Sequence, residues 1–333
     1  MTVRDLVELE LHEAAHQVAV GEVSPVDLVQ ASLERAHAIE DTNAFISILD
    51  DALEVAEASA AMLRAGYRIG PLHGVPIALK DNINMRGTLT TAGSAVLENN
   101  RSDHDATVVS KLRAAGAIVV GKTNMHEFAW GGTSANPNHG FVKNPWDMTR
   151  MPAGSSGGSG VAVASRACQA ALGTDTGGSV RLPAAVNGIT GLRPTIGRVS
   201  NAGVIPLAWS MDTVGPMARS ARDCALLLSV IAGHDAQDPG TPAVAVGDYL
   251  GGIDAGAHGL RIGLITDYSL HHMQPPVEKA IREAIDVLVD LGAVVKEVGI
   301  EDIEGNISAQ LTVEAVEPST YHQRNLRLHR DKY

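Results

Sequence analysis

Three residues stand in settings that favour nucleophilic chemistry. Ser155 lies in Pro152-Ala-Gly-Ser-Ser-Gly-Gly-Ser-Gly160, Ser179 in Gly173-Thr-Asp-Thr-Gly-Gly-Ser-Val-Arg-Leu-Pro183, and Lys80 follows the apolar run Val75-Pro-Ile-Ala-Leu79. A serine alcohol attacks poorly until a base removes its proton, and a lysine is such a base only when burial or nearby dipoles leave it neutral. Ile77, Ala78 and Leu79 supply the apolar context for Lys80. Backbone amides from Thr176 to Ser179, around Gly177 and Gly178, form the kind of concave donor nest that an oxyanion requires. Taken singly, a lysine at a strand end is usually a surface residue and a loop serine usually steadies its turn. Together the three outline a Lys/Ser/Ser site for acyl transfer.

Other chemistries fit the same residues less well. Gly154-Ser-Ser-Gly-Gly158 satisfies G-x-S-x-G with Ser156 at the nucleophile position, but that elbow needs a buried strand before it and Pro152 interrupts strand pairing. Asp175 and His234 follow in the right order for a triad, without local signatures of their own. A phosphate-cradling loop would carry G-x-x-x-x-G-K-[ST] or G-x-G-x-x-G, and neither is present. His12-Glu-Ala-Ala-His16 matches H-E-x-x-H, the spacing that sets two imidazoles one helical turn apart for zinc with Glu13 as base. No further histidine follows at metalloprotease spacing, so it reads as a solvated helix face, and the site needs no metal or cofactor.

The elements that must position these residues follow from periodicity. Leu6, Leu9, Ala14 or Ala15 and Val18 place a helix over residues 5–20, and Ser24-Pro25 with Asp27 opens a second one. Phe45–Leu49 reads as a short strand and Asp51–Ala65 as a helix ended by Gly70-Pro71. Val75–Leu79 is a strand whose C-terminal end carries Lys80, the end where open α/β sheets hold their ligands. Helix, glycine and β-branched strand follow one another from Val108 to Gly121 and again from Val277 to Val298. Ser220 with Asp223 opens a helix to Ala232, Gly259–Thr266 is a further strand, Gln237–Gly256 is an exposed connection, and Thr320–Tyr333 is a polar, basic tail. Such alternation predicts an α/β/α sandwich around a mixed, twisted central sheet, with N-terminal helices wrapping the core.

Composition sets outer limits. The 333 residues are 45% apolar, ample for a core, with 26 basic against 38 acidic residues and a net charge of −12. No basic run offers a phosphate backbone a docking site, so nucleic acid is not the expected main ligand. Two cysteines, Cys168 and Cys224, rule out a disulfide framework and lack metal spacing. An acidic N-terminus without an apolar stretch does not read as a signal peptide, and no apolar run reaches the roughly 20 residues of a membrane span. A cytoplasmic protein without membrane partners is the expectation.

Gly74-Val-Pro-Ile-Ala-Leu-Lys-Asp-Asn82, Gly121-Lys-Thr-Asn-Met-His-Glu-Phe128, Gly154-Ser-Ser-Gly-Gly-Ser159, Leu172-Gly-Thr-Asp-Thr-Gly-Gly-Ser-Val-Arg181 and Gly191-Leu-Arg-Pro-Thr195 resemble, in order, the motifs of the amidase signature family. The resemblance is densest from Gly74 to Gly233. It implies catalytic roles for Lys80 as base, for Ser155, held after a cis peptide bond, as proton relay, and for Ser179 as nucleophile. Thr176, Gly177 and Gly178 would hold the oxyanion, while Ser156, Asp175 and Arg181 orient the loops. Ala129 to Gly132 and Trp209 are candidate pocket residues. The implied activity is hydrolysis of a carboxamide, or of a urea- or carbamate-like C–N bond, on a small-molecule substrate. Two alternatives are the ammonia-releasing subunit of a tRNA-dependent amidotransferase and an inactive binding chain; homodimerisation or amidotransferase subunits would supply partners. Ala153 departs from the family's usual glycine, and the chain is shorter than the family's usual length, which implies a C-terminal truncation. Residues 1–65 are expected to form a helical region packed on an amidase domain spanning 66–333.

Overall fold

The computed structural model describes residues 3–266, 270 and 273–333. Six strands form the main sheet: β1 (Phe45–Ile48), β2 (Pro76–Lys80), β3 (Ile118–Thr123), β4 (Ala170–Asp175), β5 (Thr190–Gly191) and β6 (Thr213–Ala218). Their spatial order is β1-β3-β2-β4-β6-β5, with β3, β2 and β4 parallel and the other pairings antiparallel. Every residue of β2, β3, β4 and β6 is buried, as expected of strands covered on both faces.

Alternation along the strands divides the core into two layers. Ile77 and Leu79 pack on one face with Leu11 and Val18 of α2 (Leu11–Ala19), Leu112 of α5 (Thr107–Ala114) and Leu227 of α8 (Ala221–Ile231). Ala78, Ile118 and Val120 point to the opposite face. There they meet Val29 and Leu33 of α3 (Pro25–Ala38), Ala56 of α4 (Ala52–Arg64) and Val161 and Val163 of α6 (Gly157–Ala164); α7 (Arg181–Asn187) follows the Ser179 loop. The fold is therefore the expected mixed α/β sandwich.

Two features of the sheet place the candidate chemistry. β2 and β4 run parallel and adjacent, with Ile77 opposite Ala170 and Leu79 opposite Leu172, so Lys80 and the Thr174–Asp175 end of β4 emerge side by side. Gly158, at the start of α6, lies so close to the carbonyls of Ala44 and Asn124 that a Cβ there would collide with both. Only glycine lets the helix press this closely on the end of β3, and this sets the height of the preceding Ser155 loop.

The expected helix over residues 5–20 is two helices, α1 (Val3–Glu8) and α2. The break is built by charge. Glu10 and Glu13 form a capping box, with the Glu10 amide donating to Glu13 Oε2 at 2.9 Å, while buried Asp223 accepts from the amides of Leu11 (3.1 Å) and His12 (2.9 Å). Asp223 is thus a second, remote cap for α2, a role its position in the first turn of α8 does not advertise.

By contacts the chain divides into two units, Met1–Tyr249 with Glu317–Tyr333, and Leu250–Val316. The smaller unit pairs β7 (Arg261–Leu264) in parallel with β8 (Val294–Glu297), joined through α9 (Pro275–Asp290). Helix α10 (Ile303–Tyr321) begins in the smaller unit and ends in the larger, where α11 (Gln323–Leu328) follows. The polar tail is therefore helical for most of its length. Residues 237–256 carry no helix or strand. Among the described residues no helix is long and apolar enough to cross a membrane.

Candidate active site

Lys80 is fully buried at the end of β2, and its Nζ lies 2.7 Å from Ser155 Oγ, 2.8 Å from Thr174 Oγ1 and 3.3 Å from the Thr174 carbonyl oxygen. Burial pushes the Lys80 pKa down to about 7, against the opposing pull of Asp212 and Asp175. Contact geometry says what each state does. An ammonium satisfies all three acceptors with its three N–H groups. A neutral amine has two N–H groups and one lone pair, so with Thr174 taking the N–H groups the lone pair faces the Ser155 hydroxyl. Thr174 Oγ1 is itself fixed by Asn82 Nδ2 at 3.1 Å.

The Ser155 loop is held from several sides. Its Gly154–Ser155 peptide is cis, and the Ser155 carbonyl accepts from the His126 amide (3.1 Å) and from Ser134 Oγ (3.3 Å). Ser156 Oγ donates to the Thr174 carbonyl (3.1 Å) and accepts from the Thr174 amide (3.3 Å), which ties the loop to β4. The Ser156 amide donates to the Ser179 carbonyl at 3.2 Å. The two serine loops are therefore bonded to each other through their backbones.

Asp175 organises the second loop. Fully buried, it accepts from the amides of Gly178 (2.8 Å) and Val180 (3.1 Å), from Arg181 Nε and Nη2 (both 3.0 Å) and from Arg193 Nη1 (2.8 Å). Burial alone would raise its pKa, but the Arg181 bonds, the Val180 amide and both guanidinium charges outweigh it and bring the group down to about 2. Arg193 also spans to the carbonyls of Thr176 (3.1 Å) and Met211 (2.8 Å).

This arrangement divides the expected oxyanion donors. The Gly178 amide is engaged by Asp175, whereas the amides of Thr176, Gly177 and Ser179 make no hydrogen bond among the described residues. The Ser179 hydroxyl is half-buried and likewise makes no hydrogen bond among them, to Ser155 or otherwise. Thr176 Oγ1 donates to Asp212 Oδ1 at 2.5 Å; Asp212 in turn accepts from the amides of Leu207 (2.8 Å) and Ala208 (3.1 Å). Burial raises the Asp212 pKa, with these bonds and Lys80 opposing.

Arg193, Asp212, Thr174 and Asn82 join the site without having been expected there, although Asn82, Thr174 and Arg193 all lie inside the motifs quoted above. Other candidates fall elsewhere. His234 Nδ1 is bonded to the Thr241 carbonyl at 2.9 Å, outside the site, and His12 Nδ1 lies 2.7 Å from Asp223 Oδ1. Glu10, His12 and Asp223 bring ligand atoms within 4.8 Å of one another, whereas His16 is exposed and outside that group, so the two histidines of H-E-x-x-H do not act together. Trp209 lines a cavity with Asn201 and Asp212, and Trp130 lines a different one with Phe128 and His322. Ala129 is buried, and the His126 ring occupies the place a Cβ on Gly131 would take.

Arg193→Ala removes the less exposed of the two Asp175 partners and leaves part of a buried carboxylate charge unmatched. A stability loss of about 3 kcal/mol is expected in urea unfolding, with Arg193→Lys recovering only part of it because an ammonium cannot span Asp175, Thr176 and Met211 together.

Residues 27–332 match the Amidase family. Over 93% of this chain, a glutamyl-tRNA(Gln) amidotransferase subunit of Chromohalobacter salexigens is 47% identical, and 64% of that protein is covered. Among solved structures, the native peptide amidase of Stenotrophomonas maltophilia superposes with a TM-score of 0.86 at 38% identity, covering 97% of this chain and 68% of its own. The corresponding glutamyl-tRNA(Gln) amidotransferase subunit of Thermotoga maritima gives 0.82 at 35% identity, covering 96% and 66%. The chain spans 61–65% of the length of the first amidotransferase relatives it matches.

Proposed function

The chain belongs to the amidase signature family, and on that premise we propose that it cleaves a carboxamide C–N bond by acyl transfer to Ser179. One observation carries the reading: a fully buried lysine whose pKa falls to about 7 contacts Ser155 Oγ at 2.7 Å, on a loop bonded to the loop of Ser179. Neutral Lys80 takes the proton of Ser155 as Ser155 takes that of Ser179. The Ser179 oxygen then adds to the amide carbon, and the oxyanion draws on the amides of Thr176, Gly177 and Ser179. Collapse breaks the C–N bond as Ser155 returns a proton to the departing amine. Water attacks the ester by the reverse route, releasing the acid and restoring Ser179. Asp175, locked by Arg181 and Arg193, keeps the second loop in register, and Ser156 does the same for the first.

The pH dependence follows from the base. Below about 7 the Lys80 ammonium has no lone pair to offer. We expect kcat/KM to rise about tenfold per pH unit below that value and to level off above it, in a pH series of ammonia release from a primary carboxamide. A flat profile from pH 5 to 8 would remove Lys80 as base.

A second form of the reading has support of its own. The relative of highest identity given above is an amidotransferase subunit, at 47%, against 38% for the peptide amidase and 35% for the second amidotransferase subunit. In that form the released ammonia comes from glutamine and passes to partner subunits instead of solution. Glutamine-dependent ammonia release that rises at least about tenfold when such subunits are added would select it. Turnover of simple amides by the isolated chain at an undiminished rate would select the stand-alone amidase.

A further inference from the structure

Beside the Ser155 loop lies a cavity of about 260 Å³ lined by His126, Phe128, Leu207, Pro318, His322 and Tyr333, among others. It adjoins the proposed chemistry on two sides: the His126 amide donates to the Ser155 carbonyl, and the Leu207 amide donates to Asp212. Its walls are set in advance. Phe128 and Ala129 both hold positive φ (47° and 62°), a conformation that persists only when the surroundings fix it, and the Phe128 amide donates to the Ala92 carbonyl at 2.8 Å. Opposite, Glu317 accepts from the Ser210 amide (3.1 Å) and hydroxyl (2.6 Å), and Lys332 pairs with Glu98 at 2.6 Å. The Phe128 ring packs on the His322 ring at 4.1 Å between centroids and on Tyr333 at 5.5 Å.

The lining, largely apolar but including Glu127 and Ser319, holds one buried side-chain atom without a hydrogen-bond partner among the described residues. His322 is 5% exposed, and its Nε2 is buried without a hydrogen bond. Its Nδ1 lies 3.0 Å from Tyr333 Oη. Nδ1 is a hydrogen-bond partner of the Tyr333 phenol, and with Tyr333 donating to it the ring proton is on Nε2. Burial holds the imidazole neutral, its pKa lowered to about 4. A buried N–H donor without an acceptor costs free energy until a ligand supplies one.

We infer that His322 is a specificity-determining residue: its Nε2–H receives a hydrogen-bond acceptor, such as an α-acylamino carbonyl, of a carboxamide substrate whose apolar, aromatic-sized side group is seated between Phe128, Leu207 and Pro318. This rests on the acyl-transfer reading for the reactive end of the substrate, and the two are tested apart. Binding of N-acetyl-phenylalaninamide, whose acetamido carbonyl offers the acceptor, is compared by calorimetry with that of 3-phenylpropanamide, which lacks it, using the full chain carrying Ser179→Ala. The acetylated amide is expected to bind at least about tenfold more tightly. That ratio should collapse toward one when His322→Phe is added and survive His322→Gln, whose amide N–H can replace the donor. Equal binding of the two amides, or a preference that persists in His322→Phe, overturns the inference. If the preference holds but the unmutated chain releases no ammonia from either amide, the pocket stands and the acyl-transfer reading falls.

Discussion

Ser179→Ala is expected to lower ammonia release from any carboxamide substrate by roughly 10⁴-fold or more, to the background left by binding and oxyanion donors alone. No neighbouring hydroxyl can take its place. Ser155 Oγ is held by Lys80, and Ser156 Oγ bonds Thr174 on both its donor and acceptor sides. Ser179 Oγ alone is half-exposed and unengaged among the described residues, so its removal breaks nothing in the fold. The variant should therefore melt with the unmodified chain while losing turnover, as followed by a coupled ammonia assay. Residual activity within about tenfold of wild type would place the nucleophile elsewhere.

Lys80→Met should cost about 10³-fold in kcat/KM at pH 7.5, the usual scale for loss of a general base, and abolish the dependence on pH near 7. Lys80→Arg should be no better, because a guanidinium stays charged. Stability separates catalysis from folding here. The Lys80 pKa falls from 10.5 to about 7 on folding, so the unfolded chain binds more protons between those values and the folded state gains stability as pH rises through that window. Below pH 7 the full cost of burying the ammonium is present in the native chain and absent from Lys80→Met. At pH 6 the variant is expected to melt no lower than the native chain in calorimetry, despite its loss of activity. Parallel collapse of both would make Lys80 a structural residue.

Much of the frame was legible because it is local. The apolar run from Val75 to Leu79 marked β2 and put Lys80 at its end, and the helix–glycine–strand units marked α5 with β3 and α9 with β8. What escaped is long-range or compositionally disguised. The Ala/Val-rich segment after Ser159 hid the division between α6 and β4, since small apolar residues suit a buried helix and a buried strand equally. Gly215 and Pro216 concealed β6, which pairs with β4 over its whole length. Arg193, just after β5, and Asp212, just before β6, gain their partners only when β6 pairs with both β4 and β5 and carries them against Asp175 and Thr176, so no local pattern announces them. Asp223 looked like a first-turn acid of its own helix and is buried against the start of another, 212 residues away. His322 is the extreme case: an ordinary histidine in a polar tail becomes a buried ring against Phe128.

Whether Ser179 attacks with Lys80 as its ultimate base is tested most directly by labelling the full chain with a fluorophosphonate and mapping the adduct by peptide mass spectrometry across a pH series. The adduct should sit on Ser179, form faster as pH rises through about 7, and form slowly at every pH in Lys80→Met. An adduct on Ser155 or Ser156, or labelling of Ser179 at a rate indifferent to both pH and Lys80, would contradict it.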